Sequence, residues 1–178
     1  DILFFWVARM ILMTTFMIRE VPFKTVYLHG LVRTRDGKKM SKSDPLTCID
    51  PLESIRDYGT DALRLALIQG TAPGQDLRLY PEKLESCRRF ANKVWNAGRY
   101  ILMNIPSGTS LDPPQNVQNE AARWILHELD LLIGKTRQGL EAFRLSEVID
   151  NLRSFFWGTF CDCLLYTSPS PRDGTTSR

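Results

Sequence analysis

The 178 residues carry a formal net charge of +3, with 43% hydrophobic and 24% charged side chains, the balance of a soluble chain able to form a core. The length fits one or two domains, and the charge permits a nucleic-acid partner without demanding one. Cys48, Cys87, Cys161 and Cys163 lack the paired spacing of a zinc site, so no metal centre is predicted and the thiols are expected to be reduced, as in a cytoplasmic protein.

Residues 2 to 18 contain no Gly or Pro and are apolar on nearly every side, which predicts a helix buried in a larger core. Arg9, Thr14 and Thr15 dilute the run, and its length is marginal for a membrane span. No basic stretch precedes it and no small-residue cleavage site follows, so it is not read as a signal peptide. Without a covering layer, such a helix exposes a large apolar area. Thr25-Val26-Tyr27-Leu28 predicts a buried parallel-type strand, closed by His29-Gly30. A glycine there would let a ligand approach the backbone at a carboxyl end, where open α/β sheets bind nucleotides. His29 also reads as a satisfied core histidine. Asp36-Gly37 signals a tight turn, from which Lys39-Met40-Ser41-Lys42-Ser43 hangs. Two ammonium groups three positions apart, on mobile stems, can follow a polyanion that changes shape. The hydroxyls of Ser41 and Ser43 can bond phosphate oxygens or the local backbone. A solvated basic turn is the competing reading.

Asp50-Pro51-Leu52-Glu53 is a helix start, with a cap, a first-position proline and an acid. Gly59 ends that helix, Thr60 is expected to cap the next over Asp61 to about Gln69, and Gly70 ends it. Leu77-Arg78-Leu79 alternates like a short strand. Pro81 opens a long helix to about Asn104, with Phe90 and Trp95 expected in the core. Arg88, Arg89 and Lys93 lie on its polar side, either solvated or facing an RNA backbone. A proline-rich loop over 105–116 separates it from a second helix marked by Val117, Ala121, Ile125, Leu129, Leu132 and Ile133. A third is marked by Leu145, Val148, Ile149, Leu152, Phe156, Phe160 and Cys163. Three amphipathic helices of this length predict an antiparallel bundle. Residues 164–178 hold two prolines and little to bury, which predicts a disordered, non-native tail.

Lys39 to Ser43 match the KMSKS motif letter for letter. Together with Asp1-Ile2-Leu3-Phe4-Phe5-Trp6-Val7-Ala8-Arg9-Met10, Pro22-Phe23-Lys24-Thr25-Val26, His29-Gly30-Leu31-Val32, Asp50-Pro51-Leu52 and Tyr58-Gly59-Thr60-Asp61-Ala62-Leu63-Arg64, they resemble the class I aminoacyl-tRNA synthetases, and within them the valyl branch. The likeness covers about residues 1 to 162. It implies a fold that is α/β and then all-α: the second half of a Rossmann-like catalytic fold with a stem-contact region over 1–80, then an incomplete anticodon-binding helical domain over 81–163. It implies ATP, with Mg²⁺ on its phosphates, held by His29, Gly30, Val32, Met40, Ser41, Lys42 and Ser43, with adenine at His29 and the Val32 backbone. It implies Lys39 and Lys42 as the catalytic cations. Asp1, Ile2 and Trp6 would form the valine pocket, although core packing also explains Ile2 and Trp6. Arg88, Arg89 and Lys93 would touch tRNA(Val), and the parent enzyme would be a cytoplasmic monomer with no membrane contact.

The sequence departs from the family after Ser43, where Asp44-Pro45 replaces the usual glycine-containing continuation. No His-x-Gly-His occurs, so half of the nucleotide site is missing and the chain alone is expected to be inactive. Two alternatives stay open: a free-standing helical RNA-binding module, and an isoleucyl or leucyl relative. Phe4 to Met10 favour the valyl branch.

Overall fold

The computed structural model describes residues 2–41, 48–110, 112 and 117–165. The chain is mostly helical. A π-helical turn, Leu3–Val7, leads into α1, Ala8–Ile18, which closes on Arg19 in the left-handed region at φ 61°. Two-residue strands follow, β1 at Val32–Arg33 and β2 at Leu77–Arg78, with α2 (Pro51–Tyr58) and α3 (Thr60–Ile68) between them. Then come α4 (Pro81–Asn104), α5 (Glu120–Glu141), α6 (Leu145–Ser154) and a π-helical continuation, Phe155–Leu165. Among the described residues no helix is long and apolar enough to cross a membrane.

The two strands pair in parallel, Val32 beside Leu77 and Arg33 beside Arg78. Leu77 N donates to Leu31 O and Leu79 N to Arg33 O, both at 2.9 Å. The predicted strand at Thr25–Leu28 does not form; these four residues are exposed. β-branched content describes a fit to a covered pleated surface, and β2 runs alongside residues 31–33 instead. The second short strand forms where it was expected.

Ala62, Leu63, Ala66, Leu79, Leu84 and Cys87 make the main core, with Val32, Met40, Ile49, Tyr58 and Leu65 packed against it. Asp50 caps α2 through its side chain, which accepts from Leu52 N at 2.8 Å, and Pro51 opens the helix. Thr60 is not the cap of α3. Gly59, at φ 91°, holds that place without a side-chain bond, and Thr60 is already helical. α4 has the predicted bounds, but Trp95 is 74% exposed and not in the core. α3 has nine residues against twenty-four in α4, roughly 13 Å against roughly 36 Å of rise, so α3 cannot cover the distal half of α4.

Helices α5 and α6 pack together and bury Leu132, Gly139 and Val148. Arg144 N donates to Gly139 O at 2.8 Å and Phe143 N to Leu140 O at 3.1 Å. These are the two bonds of a Schellman ending, with Phe143 at φ 56° in the place glycine usually takes. The Phe143 ring meets Tyr27 at 5.7 Å between centroids. The apolar segment at the amino end is not buried. Within Leu3–Ile18 only Val7 is enclosed, while Phe16 is 82% exposed. That is the exposed apolar surface expected of such a helix without a covering layer.

Candidate functional site

The lysine motif begins on a hairpin that hangs from β1. Thr34 N donates to Lys38 O at 2.9 Å, and Gly37 N to Thr34 O at 3.0 Å. Gly37 sits at φ 82°, a conformation that glycine adopts without cost. An antiparallel bridge joins Arg33 to Lys39, so Lys39 stands beside the carboxyl end of β1, exposed to solvent. Met40 does not project with it. Its side chain lies against the main core, as does that of Ile49 on the far side of the loop. The motif's methionine therefore ties the loop to the body while Lys39 reaches outward. Ser41 is exposed. Lys42, Ser43 and the Asp44-Pro45 departure lie outside the described residues, as do Asp1 and the tail beyond Leu165.

Asp76 holds the strand edge together. Its carboxylate accepts from Leu31 N at 2.8 Å and pairs with Arg33 Nε. Those donors, the Leu31 amide first and then Arg33, keep its pKa below the usual carboxylate range. Arg33 Nη1 also donates to Gly37 O at 3.2 Å. Arg35 reaches Glu82 at 2.9 Å and lies 5.6 Å from the centre of the Tyr80 ring.

His29, Gly30 and Val32 line one cavity of about 350 Å³, closed on its apolar side by Leu67, Ile68 and Leu77. His29 Nδ1 donates to Gly30 O at 2.8 Å, since a carbonyl can only accept. The structure thus brings together three of the residues assigned to the nucleotide. It places His29-Gly30 before β1, however, and not after a strand. A Cβ on Gly30 would overlap the backbone of Gln75 and Asp76, so this glycine serves a close approach of the chain to itself.

Ile2 and Trp6 do not line that cavity. They are 59% and 60% exposed, and Trp6 carries Arg9 5.7 Å from its ring centre. On α4, Arg88 and Arg89 share Glu85 at 3.7 and 3.2 Å. Lys93 lies 3.1 Å from Asp162 and 3.8 Å above the Trp157 ring. Among the described residues no cluster of three His, Cys, Asp or Glu side chains could hold a metal ion.

Sequence reasoning missed Asp76, Gln69, Arg78 and Arg153. Gln69 Oε1 accepts from Arg153 Nη1 at 3.2 Å, and its backbone oxygen accepts from Lys83 Nζ at 2.7 Å. Gly70 N donates to Ser146 Oγ at 2.8 Å. These bonds tie the end of α3 to α4 and α6, and the two that reach α6 span 84 and 76 positions. Nothing in the neighbouring letters signals them.

Two family models match. Residues 1–80 match class I tRNA synthetases of the I, L, M and V group, and residues 122–174 match the anticodon-binding domain of tRNA ligases. A valine–tRNA ligase of Dehalococcoides mccartyi is 48% identical over 162 residues, covering 91% of this chain and 18% of the relative. One of Clostridium tetani is 47% identical over 164 residues, with 91% and 18% covered. The chain therefore spans about a fifth of the length of the curated relatives it matches. Among solved structures, the ternary complex of Agrobacterium radiobacter K84 agnB2 LeuRS with tRNA and LeuAMS matches with a TM-score of 0.67 at 27% identity, covering 75% of this chain and 17% of that one.

Proposed function

The chain belongs to the class I aminoacyl-tRNA synthetases, and we propose that it supplies the lysine-loop portion of a valine–tRNA ligase. The reaction has two steps. The valine carboxylate attacks the α-phosphate of ATP, forming valyl-adenylate and releasing pyrophosphate. A terminal ribose hydroxyl of tRNA(Val) then attacks the acyl carbon, and AMP leaves. No covalent enzyme nucleophile is needed; the protein positions the reactants and neutralises charge. Lys39 and Lys42 would stabilise the charge that moves onto the β- and γ-phosphates, with Met40 keeping the loop on the core. Mg²⁺ would arrive on those phosphates, and no step is assigned to a protein-bound metal. His29, Gly30 and Val32 would receive adenine, and Asp1, Ile2 and Trp6 would contact valine once a covering layer encloses them. Residues 1–80 would form the second part of a Rossmann-like catalytic fold with its stem-contact region, and 81–163 an antiparallel helical bundle carrying Arg88, Arg89 and Lys93 toward tRNA. A cytoplasmic monomer fits this reading.

The observation that carries it is the hairpin. The KMSKS letters begin at the carboxyl end of β1, and the strand's own Val32 lines the cavity beside His29 and Gly30. The test replaces the matching segment of the Dehalococcoides mccartyi enzyme with residues 1–162. Valine-dependent pyrophosphate exchange and charging of tRNA(Val) are expected, while Lys42→Ala and Lys39→Ala each slow activation by about a hundred- to a thousandfold. A folded chimera that activates isoleucine or leucine in preference to valine, or no amino acid, sinks the reading. The 178-residue chain alone is expected to show no exchange.

A further inference from the structure

A cleft of about 600 Å³ opens where the end of α3, β2, the first turn of α4 and α6 meet. Arg78, Lys83 and Arg153 line it, with Asp76, Glu82 and Tyr80. Both carboxylates are held by arginines of the hairpin, which do not line the cleft: Arg33 on Asp76 and Arg35 on Glu82. None of the three lining cations pairs with a carboxylate among the described residues. Among the described residues, Lys83 Nζ donates only to the carbonyl of Gln69, at 2.7 Å. Arg153 donates to Gln69 Oε1 at 3.2 Å and to Ser86 Oγ at 3.4 Å. The Arg78 side chain is exposed and makes no hydrogen bond or ion pair among the described residues.

Arg78 is also the ladder partner of Arg33. Like charges side by side on neighbouring strands destabilise a sheet unless something offsets them. Arg33 has Asp76, whereas Arg78 pairs with no carboxylate among the described residues. Its guanidinium tip overhangs the hairpin turn, 3.9 Å from where a Cβ on Gly37 would stand. The first turn of α4 adds the positive end of a 24-residue helix to the same cleft. Burial lowers the pKa of Lys83, a desolvation cost that an anion nearby would offset.

We propose that this cleft is a phosphate site, in which Arg78 grips one phosphate as a fork while Lys83 and Arg153 supply point charge beneath it. The inference rests on the reading above for its ligand, a phosphodiester of the bound RNA, with released pyrophosphate as the other source of the same chemistry. An arginine fork suits two oxygens of one phosphate, and three cations suit its charge.

The test uses the 178-residue chain. Anisotropy of labelled tRNA(Val) is followed against salt for the wild type, Arg78→Gln, Lys83→Met and, as a control that does not line the cleft, Arg137→Gln on α5. Phosphorus NMR line broadening of added pyrophosphate forms the second arm, and thermal midpoints check folding. Arg78→Gln breaks no hydrogen bond or ion pair among the described residues and removes one of two like charges on paired strands, so its midpoint is expected to stay at or above that of the wild type. It is expected to weaken tRNA binding about tenfold and to lower the salt slope by about 0.9, while Arg137→Gln does neither. Loss of pyrophosphate broadening with tRNA affinity unchanged assigns the site to the free anion. If Arg78→Gln and Lys83→Met both leave tRNA affinity, salt slope and pyrophosphate broadening at wild-type values, the phosphate site is refuted. Valine activation by the chimera is scored separately, so either idea can fall alone.

Discussion

Lys93 holds its ammonium 3.8 Å from the centre of the Trp157 ring and 3.1 Å from the Asp162 carboxylate. Its side chain is only 23% exposed, so both attractions act in partly excluded water. The same indole stacks on Phe90 of α4 at 6.4 Å and 15°. Lys93 thus fastens the middle of α4 to the π-helical continuation of α6. An RNA contact by Lys93 would have to compete with that pair.

The first prediction follows from this contact. Lys93→Met keeps the aliphatic stem and removes the charge, and it is expected to destabilise the chain by about 1 kcal/mol. In a double-mutant cycle with Trp157→Leu, a coupling of about 0.5–2 kcal/mol is expected. Urea midpoints measure it. A coupling of zero would mean that the ring and the ammonium are neighbours without attraction.

What could be read in the letters was whatever local chemistry decides. Asp50-Pro51 starts α2 and Pro81 starts α4 because caps and fixed φ values act within one turn. The lysine motif was legible as a string, and so was its hairpin, because Asp36-Gly37 builds the turn without outside help. Thr25–Leu28 was not legible: strand formation depends on which segment lies alongside, and β2 lies elsewhere. Phe143 ends α5 in a conformation that its side chain disfavours by about 1–2 kcal/mol, held by contacts with Tyr27 that no nearby residue encodes. Gln69 illustrates the limit within the site. Its partner Arg153 is 84 positions away, and neither residue type is informative alone.

A second prediction concerns acid. The Leu31 amide and Arg33 hold the Asp76 carboxyl below its ordinary value of 3.8. A group whose pKa is depressed on folding contributes stability above its unfolded value and loses it as pH falls through the folded one. The edge formed by residues 31–33 and 76–79 should therefore weaken below about pH 4. Asp76→Asn keeps an acceptor for Leu31 N but has no carboxyl to protonate. Denaturation midpoints taken from about pH 7 to about pH 2.5 should show a smaller acid loss in the variant than in the wild type. Equal losses would place the acid sensitivity elsewhere.

Thiol reactivity supplies a third. Cys87 and Cys161 are buried and Cys163 is exposed. Burial is the main cause that raises both buried thiols above the ordinary 9.0, with Lys83 opposing it at Cys87 and Lys93 at Cys161. Since the thiolate is the reactive form, a disulfide reagent at about pH 8 should modify Cys163 quickly. Cys87 and Cys161 should react only as the chain unfolds. Peptide mapping after timed labelling reads this directly, and early modification of Cys87 would contradict the packing of α4 on α3.

The last prediction tests how tightly α5 and α6 meet. Gly139 is buried in α5, and a Cβ placed there would overlap Cγ2 of Val148 on α6. Two opposing effects apply to Gly139→Ala. Helix propensity favours alanine by about 1 kcal/mol, whereas overpacking against a stiff β-branched side chain costs roughly 1–3 kcal/mol. Val148 cannot rotate away cheaply, so overpacking should win and the variant should be less stable. Val148→Ala alone opens a hole and also destabilises. Combined, the methyl added at position 139 fills space that the lost methyls vacated, and the double variant should be more stable than the sum of the two losses by about 1 kcal/mol. Strict additivity would show that the helices separate to admit the methyl, and that the α5–α6 contact is looser than its buried residues indicate.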